Sequence, residues 1–191
     1  YEGGFIFRYR ADGTPQYIHI RDTNTTDYTL SKYDVADLTI KPTSFSELLT
    51  KMEVSYEKHP AENRYLTTKT AYADTARTNW NIRAKENVSQ VSLDAYVAPA
   101  ITEYDNSTDV ASSSPNDDFF AYYYNIFGDI KTIVSGKIVN PKYYGLDVGD
   151  MIEFENMYPE KIFGESWSGK QYMITTLQRT LGVLTFESRE I

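Results

Sequence analysis

The sequence predicts an α+β fold that is mainly β: antiparallel sheets or a partly open β-barrel, with two or three short helices packed on them. Three observations lead there. Apolar and polar residues alternate along most segments, the period of a strand with one buried face. Aromatic residues are plentiful, with 17 Tyr and 9 Phe in 191 residues, and they suit a pleated, half-buried surface. Gly, Pro, Asn and Asp punctuate these runs at short intervals, as turns require.

In order, "FIFRYRADGTPQYIHI" alternates, turns at Asp12-Gly13 and alternates again from Tyr17, which predicts a β-hairpin with Pro15 at the start of its second strand. "DTNTTDYTLSKYD" is polar and turn-rich. "VADLTI" is a short strand closed by Pro42. Ser44 and Glu47 form a capping box, so a helix is expected over 44–51, with Leu48, Leu49 and Met52 on one side. It runs straight into a strand in which Met52, Val54 and Tyr56 alternate with polar residues, ended by His59-Pro60. Thr70 to Trp80 reads either as helix or as a long excursion. "VSQVSLDAYV" is a strand limited by Pro99.

Residues 104–118 are small, polar and acidic, and too poor in apolar area to pack, so a mobile loop is expected. Its spacing does not match the helix–loop–helix calcium pattern. A helix over 116–127 follows, capped by Asn116, with Asp117 and Asp118 where the helix dipole favours anions. Phe119, Phe120, Tyr123 and Phe127 form its apolar face, and Gly128 is expected to stop it. The last third is β: "KTIVSGKIVN", "DMIEFEN", and a pair of strands meeting near Leu181-Gly182. Two segments follow: 1–42 as an N-terminal hairpin and strand segment, and 43–191 as a barrel-like module, possible as one continuous domain.

Composition narrows function. The net charge of −8 disfavours nucleic acid, whose binders carry a basic patch or stripe. No apolar run approaches the roughly 20 residues of a membrane span. There are no cysteines, so disulfides, thiolate metal sites and cysteine nucleophiles are excluded. The first residue is Tyr1 rather than Met, the expectation for an excised fragment or a processed product. The sequons at Asn24, Asn87 and Asn106 matter only in a glycosylating source.

Catalytic patterns fail on inspection. "GESWSGKQ" has phosphate-loop spacing, but Gln171 stands where a Ser or Thr would hold magnesium, and a strand follows instead of a helix. It reads as a hairpin loop. The two histidines, His19 and His59, lack the local signatures of a triad or a zinc helix. With 27 acids, nothing selects a glycosidase pair. No residue is therefore assigned a catalytic, cofactor-binding or metal-ligating role, and no cofactor is expected.

In "GLDVGDMIEF", Leu146 anchors a turn, Gly149 supplies a positive φ, Asp150 accepts a backbone N–H, and Ile152 and Phe154 face inward. Taken with "ELLTKMEVSY" before it and "YMITTLQRTLGVLTFESREI" after it, this order resembles the C-terminal part of bacteriophage tail baseplate hub and tail-tip proteins. The resemblance spans residues 34–191 and is firm at 45–57 and 141–191; the long middle and the loop at 104–118 have no counterpart in it. It implies a virion structural protein, assembled in the bacterial cytoplasm. Such a protein forms a trimeric or hexameric ring, adapts the tail tube to the tip, contacts other tail proteins and performs no chemistry. The N-terminal hairpin with Arg8 and Arg10 is the expected contact. Two other classes stay open: a carbohydrate- or surface-binding β module stacking glycan on exposed tyrosines and Trp167, and a cell-wall glycan hydrolase.

Overall fold

The computed structural model describes residues 5–10, 13–19, 25–81, 88–92 and 119–191. The chain divides into two compact units, one built from 3–43 with 131–191 and the other from 44–130. It is mainly β, as predicted.

The first unit begins with a separate hairpin of β1 (Phe5–Tyr9) and β2 (Pro15–His19). Its main sheet has six strands: β3 (Tyr28–Ser31), β4 (Val35–Pro42), β8 (Thr132–Ile138), β9 (Met151–Glu155), β12 (Gln171–Thr180) and β13 (Val183–Glu190). Their order is β3-β9-β12-β13-β8-β4. Consecutive strands β3 and β4 thus occupy opposite edges, yet only residues 32–34 join them. Four residue steps reach about 14 Å at most. Five strand spacings in a flat sheet need about 24 Å. The sheet must therefore curl until its edges approach, giving a half-barrel. Register shifts between Ala36 and Thr39 and between Ile174 and Thr176 supply local bends.

Alternation fills the inside. Ile152 and Phe154, Tyr172 and Ile174, and Leu184 and Phe186 are all buried in one cluster. Phe154 lies at its centre, edge-on to Tyr172 and to Trp167, each with centroids 5.1 Å away. The edges are joined by hydrogen bonds around Asp34. Its carboxylate accepts from the Ser31 amide (2.9 Å), the Ser31 hydroxyl (2.6 Å) and the Asn140 side chain (2.7 Å). Burial pushes the Asp34 carboxyl up, but the Ser31 and Asn140 donors outweigh it and hold it below the usual range. Tyr143 donates its hydroxyl to the Thr29 carbonyl at 2.7 Å, so "NPKYYG" ties β3 to the loop after β8.

The second unit holds a three-stranded sheet: β5 (Lys51–Lys58) lies between β6 (Tyr65–Tyr72) and β7 (Val88–Ser92). The helix α2 (Phe119–Phe127) contributes Phe120, Ala121, Tyr123 and Tyr124 to a core with Met52, Val54 and Tyr56. A short helix α1 (Asp74–Asn79) follows β6, so the ambiguous stretch 70–80 is strand end and then helix.

Four expectations change in detail. The helix over 44–51 is a single 3-10 turn, Phe45–Glu47. Ser44 does cap it, accepting from the Ser46 amide, but Leu49 gives its N–H to the Phe127 carbonyl (2.8 Å) instead of a helical partner. Leu48 is already extended and Leu48, Leu49 and Thr50 are buried in succession, so tertiary packing overrides the capping signal. Second, the polar stretch before residue 34 contains β3, where Leu30 alone is fully buried. Third, two pairings are parallel, β3 with β9 and β5 with β7. Fourth, Gly128 stops α2 by close approach: a Cβ there would collide with the Tyr124 carbonyl oxygen, to which the Gly128 amide donates. The expected caps Asn116, Asp117 and Asp118, the loop 104–118, Asp12, the strand's continuation past Ser92 and the three sequons lie outside the described residues.

Candidate interaction surfaces

The β1–β2 hairpin separates its two faces by the strand period. Phe7 stands opposite Tyr17, and Tyr9 lies two residues from Phe7 on the same side. The three rings cluster, with centroids 5.1 Å apart for Phe7–Tyr9 and 4.9 Å for Phe7–Tyr17. They are turned to solvent, at 44%, 66% and 70% exposure.

Arg8 points the other way. Its Nε donates to Gln16 Oε1 (2.8 Å), its Nη1 to the Val148 carbonyl (2.5 Å) and its Nη2 to Asp150 Oδ1 (2.6 Å). Both side chains of the ion pair are about nine-tenths buried. For Arg8 the expectation of a contact residue is corrected: Arg8 latches the hairpin to its own barrel, and the hairpin turns its rings and Arg10 to solvent. Arg10 shares Gln16 Oε1 at 3.1 Å.

The latch closes on the turn singled out in the sequence. Leu146 is fully buried, and Gly149 has φ +91°. Asp150 Oδ2 accepts the Asp147 amide at 2.7 Å. From β12, Arg179 donates to the Leu146 carbonyl (2.6 Å) and to Asp147 Oδ1 (2.7 Å). Two arginines from separate strands thus grip one turn. A cavity of about 410 Å³ beside it is lined by Arg8, Arg10, Asp27, Tyr28, Asp147 and Asp150. Burial, with Asp150, Asp27 and Asp147 nearby, pushes the Tyr28 hydroxyl above its ordinary value.

A second exposed aromatic site lies on the small hairpin of β10 (Lys161–Ile162) and β11 (Glu165–Ser166). Phe163 sits at its tip at 66% exposure, and Tyr158 just before it at 83%. Trp167 does not join them. It is 3% exposed, donates Nε1 to the Pro159 carbonyl (2.7 Å) and packs on Phe154. The expectation of a Trp167 stacking platform is overturned, because the ring is buried in the core.

The segment "GESWSGKQ" is not the single hairpin loop expected: it runs through β11 and a turn into β12, which pairs with β9 and β13 and not with β11, although a strand does follow it as read. Lys170 is held by Glu165 (2.6 Å) and Glu190 (2.8 Å). Burial works to lower the Lys170 ammonium, and the two carboxylates outweigh it and raise it. His59 Nδ1 accepts from the amides of Ala61 and Glu62, a turn-capping role; the His19 side chain is outside the described residues. A cavity of about 470 Å³ has Glu153, Glu155 and Glu160 on its wall. Glu153 there accepts from Thr26 and Gln171. Among the described residues, hydrogen-bond donors hold the carboxyls of Asp34, Asp37, Glu53 and Glu190 below their ordinary values. Among the described residues no group of three or more His, Asp or Glu is placed to hold a metal, and no helix is long and apolar enough to cross a membrane.

No protein-family profile matches the chain, and no curated protein sequence does. Solved structures do. A chain of the virion of the native gene transfer agent particle superposes over 92% of this chain and 33% of that one, at 10% identity and a TM-score of 0.56. The tail protein from Neisseria meningitidis MC58 superposes over 98% of this chain and 50% of that one, at 8% identity and a TM-score of 0.50. The chain has the fold of these tail and virion proteins. It spans between a third and a half of their length.

The sequence signalled Leu146, Gly149, Asp150, Ile152 and Phe154 correctly, but not the burial of Met151 beside them. It did not signal Arg8 as a latch or Phe163 as a tip. Alternation in "FIFRYR" places Arg8 opposite the rings, but nothing local names Asp150 as its partner 142 residues on.

Proposed function

We propose that this chain is a structural component of a phage or phage-like tail, at the baseplate hub or tail tip. In this reading copies of it form a ring, trimeric or hexameric, that adapts the tail tube to the tip. Other tail proteins are its neighbours, and the virion, assembled in the bacterial cytoplasm, is where it works. It performs no bond-breaking chemistry. The observation that carries the reading is the fold, shared over nearly the whole chain with a gene transfer agent virion chain and a tail protein. Exposed aromatic clusters on two hairpins of the first unit support an assembly role, because rings left in water on a charged surface serve best when a partner covers them. Deleting the coding segment in a particle-producing strain tests it. The expected result is capsids without complete tails by negative-stain microscopy. Normal, infectious tails in the deletion strain would contradict it.

A further inference from the structure

The β1–β2 hairpin lies on its barrel with its arginine side inward. It forms a two-stranded sheet of its own, and among the described residues no barrel strand pairs with it. Its three rings, Phe7, Tyr9 and Tyr17, stay exposed, and Ile18 on the inner side is only half-buried. Beneath it a polar cavity of about 410 Å³ has Arg8 and Arg10 from the hairpin and Asp27, Tyr28, Asp147 and Asp150 from the barrel. Space in place of packed side chains leaves closure with little apolar burial to hold it. Arg8 spans the gap. Its guanidinium meets three acceptors: Gln16 Oε1 within the hairpin, and the Val148 carbonyl and Asp150 Oδ1 on the barrel. A planar fork fits such a set, and a compact ammonium does not. Opening returns these groups to water, so the net free energy of closure is far smaller than three bonds suggest. An isolated two-stranded hairpin is itself marginal in water.

We propose that the β1–β2 hairpin is a strap that lifts from the barrel and reseats, and that Arg8 is its catch, seated in a guanidinium socket on the 146–150 turn. Lifting leaves the barrel whole: no described hairpin residue belongs to its six-stranded sheet or to its core cluster. The open form is a minor state, populated at roughly 0.1–10% as two-state elements of this kind are. It bares the Val148 carbonyl and the Asp150 carboxylate, which Arg8 otherwise fills. Two such acceptors on one turn suit an arginine side chain of another protein, so the closed strap occupies in cis a site that an outside guanidinium fits.

Native-state hydrogen exchange by NMR on the 191-residue chain, at several low urea concentrations, tests the strap. In the wild type the β1 and β2 amides should exchange roughly tenfold or more faster than those of β8 and β13, with little dependence on urea, because lifting exposes little surface. Arg8→Ala should speed the hairpin amides roughly tenfold or more. Ethylguanidinium chloride, refilling the socket, should slow them again in Arg8→Ala, and ethylammonium chloride at the same concentration should not. In Arg8→Ala/Asp150→Asn ethylguanidinium should lose that effect. Wild-type hairpin amides with the rate and urea dependence of the barrel, hairpin amides unmoved by Arg8→Ala, or equal slowing by ethylammonium would each overturn the proposal.

Discussion

Replacing Asp150 by Ala removes two interactions at once: the carboxylate that holds Arg8 at 2.6 Å and the acceptor for the Asp147 amide at 2.7 Å. Two unit charges about 4 Å apart attract by about 4 kcal/mol at an effective dielectric constant near 20. Desolvation takes back a large part, and exposed pairs retain only about 0.2–1 kcal/mol. Here both side chains are about nine-tenths buried, and Arg8 keeps only Val148 and Gln16 when Asp150 is gone. Loss of one partner then resembles the breaking of a buried pair, and about 3 kcal/mol is expected for Asp150→Ala. Asp150→Asn keeps an oxygen for the Asp147 amide and should lose about half of that. Arg8→Ala should cost about 2 kcal/mol, and the double-mutant cycle should return a coupling of about 2 kcal/mol. The assay is urea unfolding followed by Trp167 fluorescence in a Trp80→Phe background, because Trp167 is buried in the barrel unit and Trp80 belongs to the other. Trypsin cleavage after Arg10 gives an independent reading of hairpin release, and should accelerate in Arg8→Ala. A coupling below about 0.5 kcal/mol would place the pair among ordinary surface ion pairs and refute the latch.

Three further outcomes follow from the geometry. Gly128→Ala should destabilise the second unit by about 1–3 kcal/mol, since its Cβ would collide with the Tyr124 carbonyl; Trp80 fluorescence in a Trp167→Phe background reads it. Leu30→Ala should cost about 2–5 kcal/mol, because Leu30 is the one fully buried side chain of β3 and belongs to the barrel's core cluster; thermal unfolding by circular dichroism measures it. Stability should fall on acidification. Burial pushes the Glu190 carboxyl up, but Lys170 and Thr132 donors outweigh it, so Glu190, like Asp34, ends below its ordinary value. A depressed carboxyl stabilises the folded chain fully above its unfolded pKa, about 4, and that stability disappears as pH falls through the folded value. Urea midpoints should thus be level above about pH 5 and decline below it, with Glu190→Gln and Asp34→Asn flattening the decline.

Much of the fold was legible because the strands declare themselves by alternation. Met52, Val54 and Tyr56, then Ile152 and Phe154, then Leu184 and Phe186 point inward as their spacing says. What stayed hidden is nonlocal. β3 has four residues and a single buried one, and it exists because β9 offers it a parallel partner more than 120 residues on. The box at Ser44 and Glu47 satisfies a local rule, yet the burial of Leu48 and Leu49 and the Leu49 bond to Phe127 draw the chain out straight. Gly128 was read correctly as a stop and for the wrong reason: steric approach to Tyr124 takes the place of a left-handed backbone. At the interaction surfaces, the hairpin was legible and its polarity was not. The arginines looked like the contact, and only the distance from Arg8 to Asp150 turns the hairpin over and puts the rings outside.

Cryo-electron microscopy of tailed particles from a strain encoding this chain tests the account most directly. It predicts density for the barrel unit in a closed ring between tail tube and tip. Complete tails containing no such ring, or the chain absent from purified particles by mass spectrometry, would contradict it.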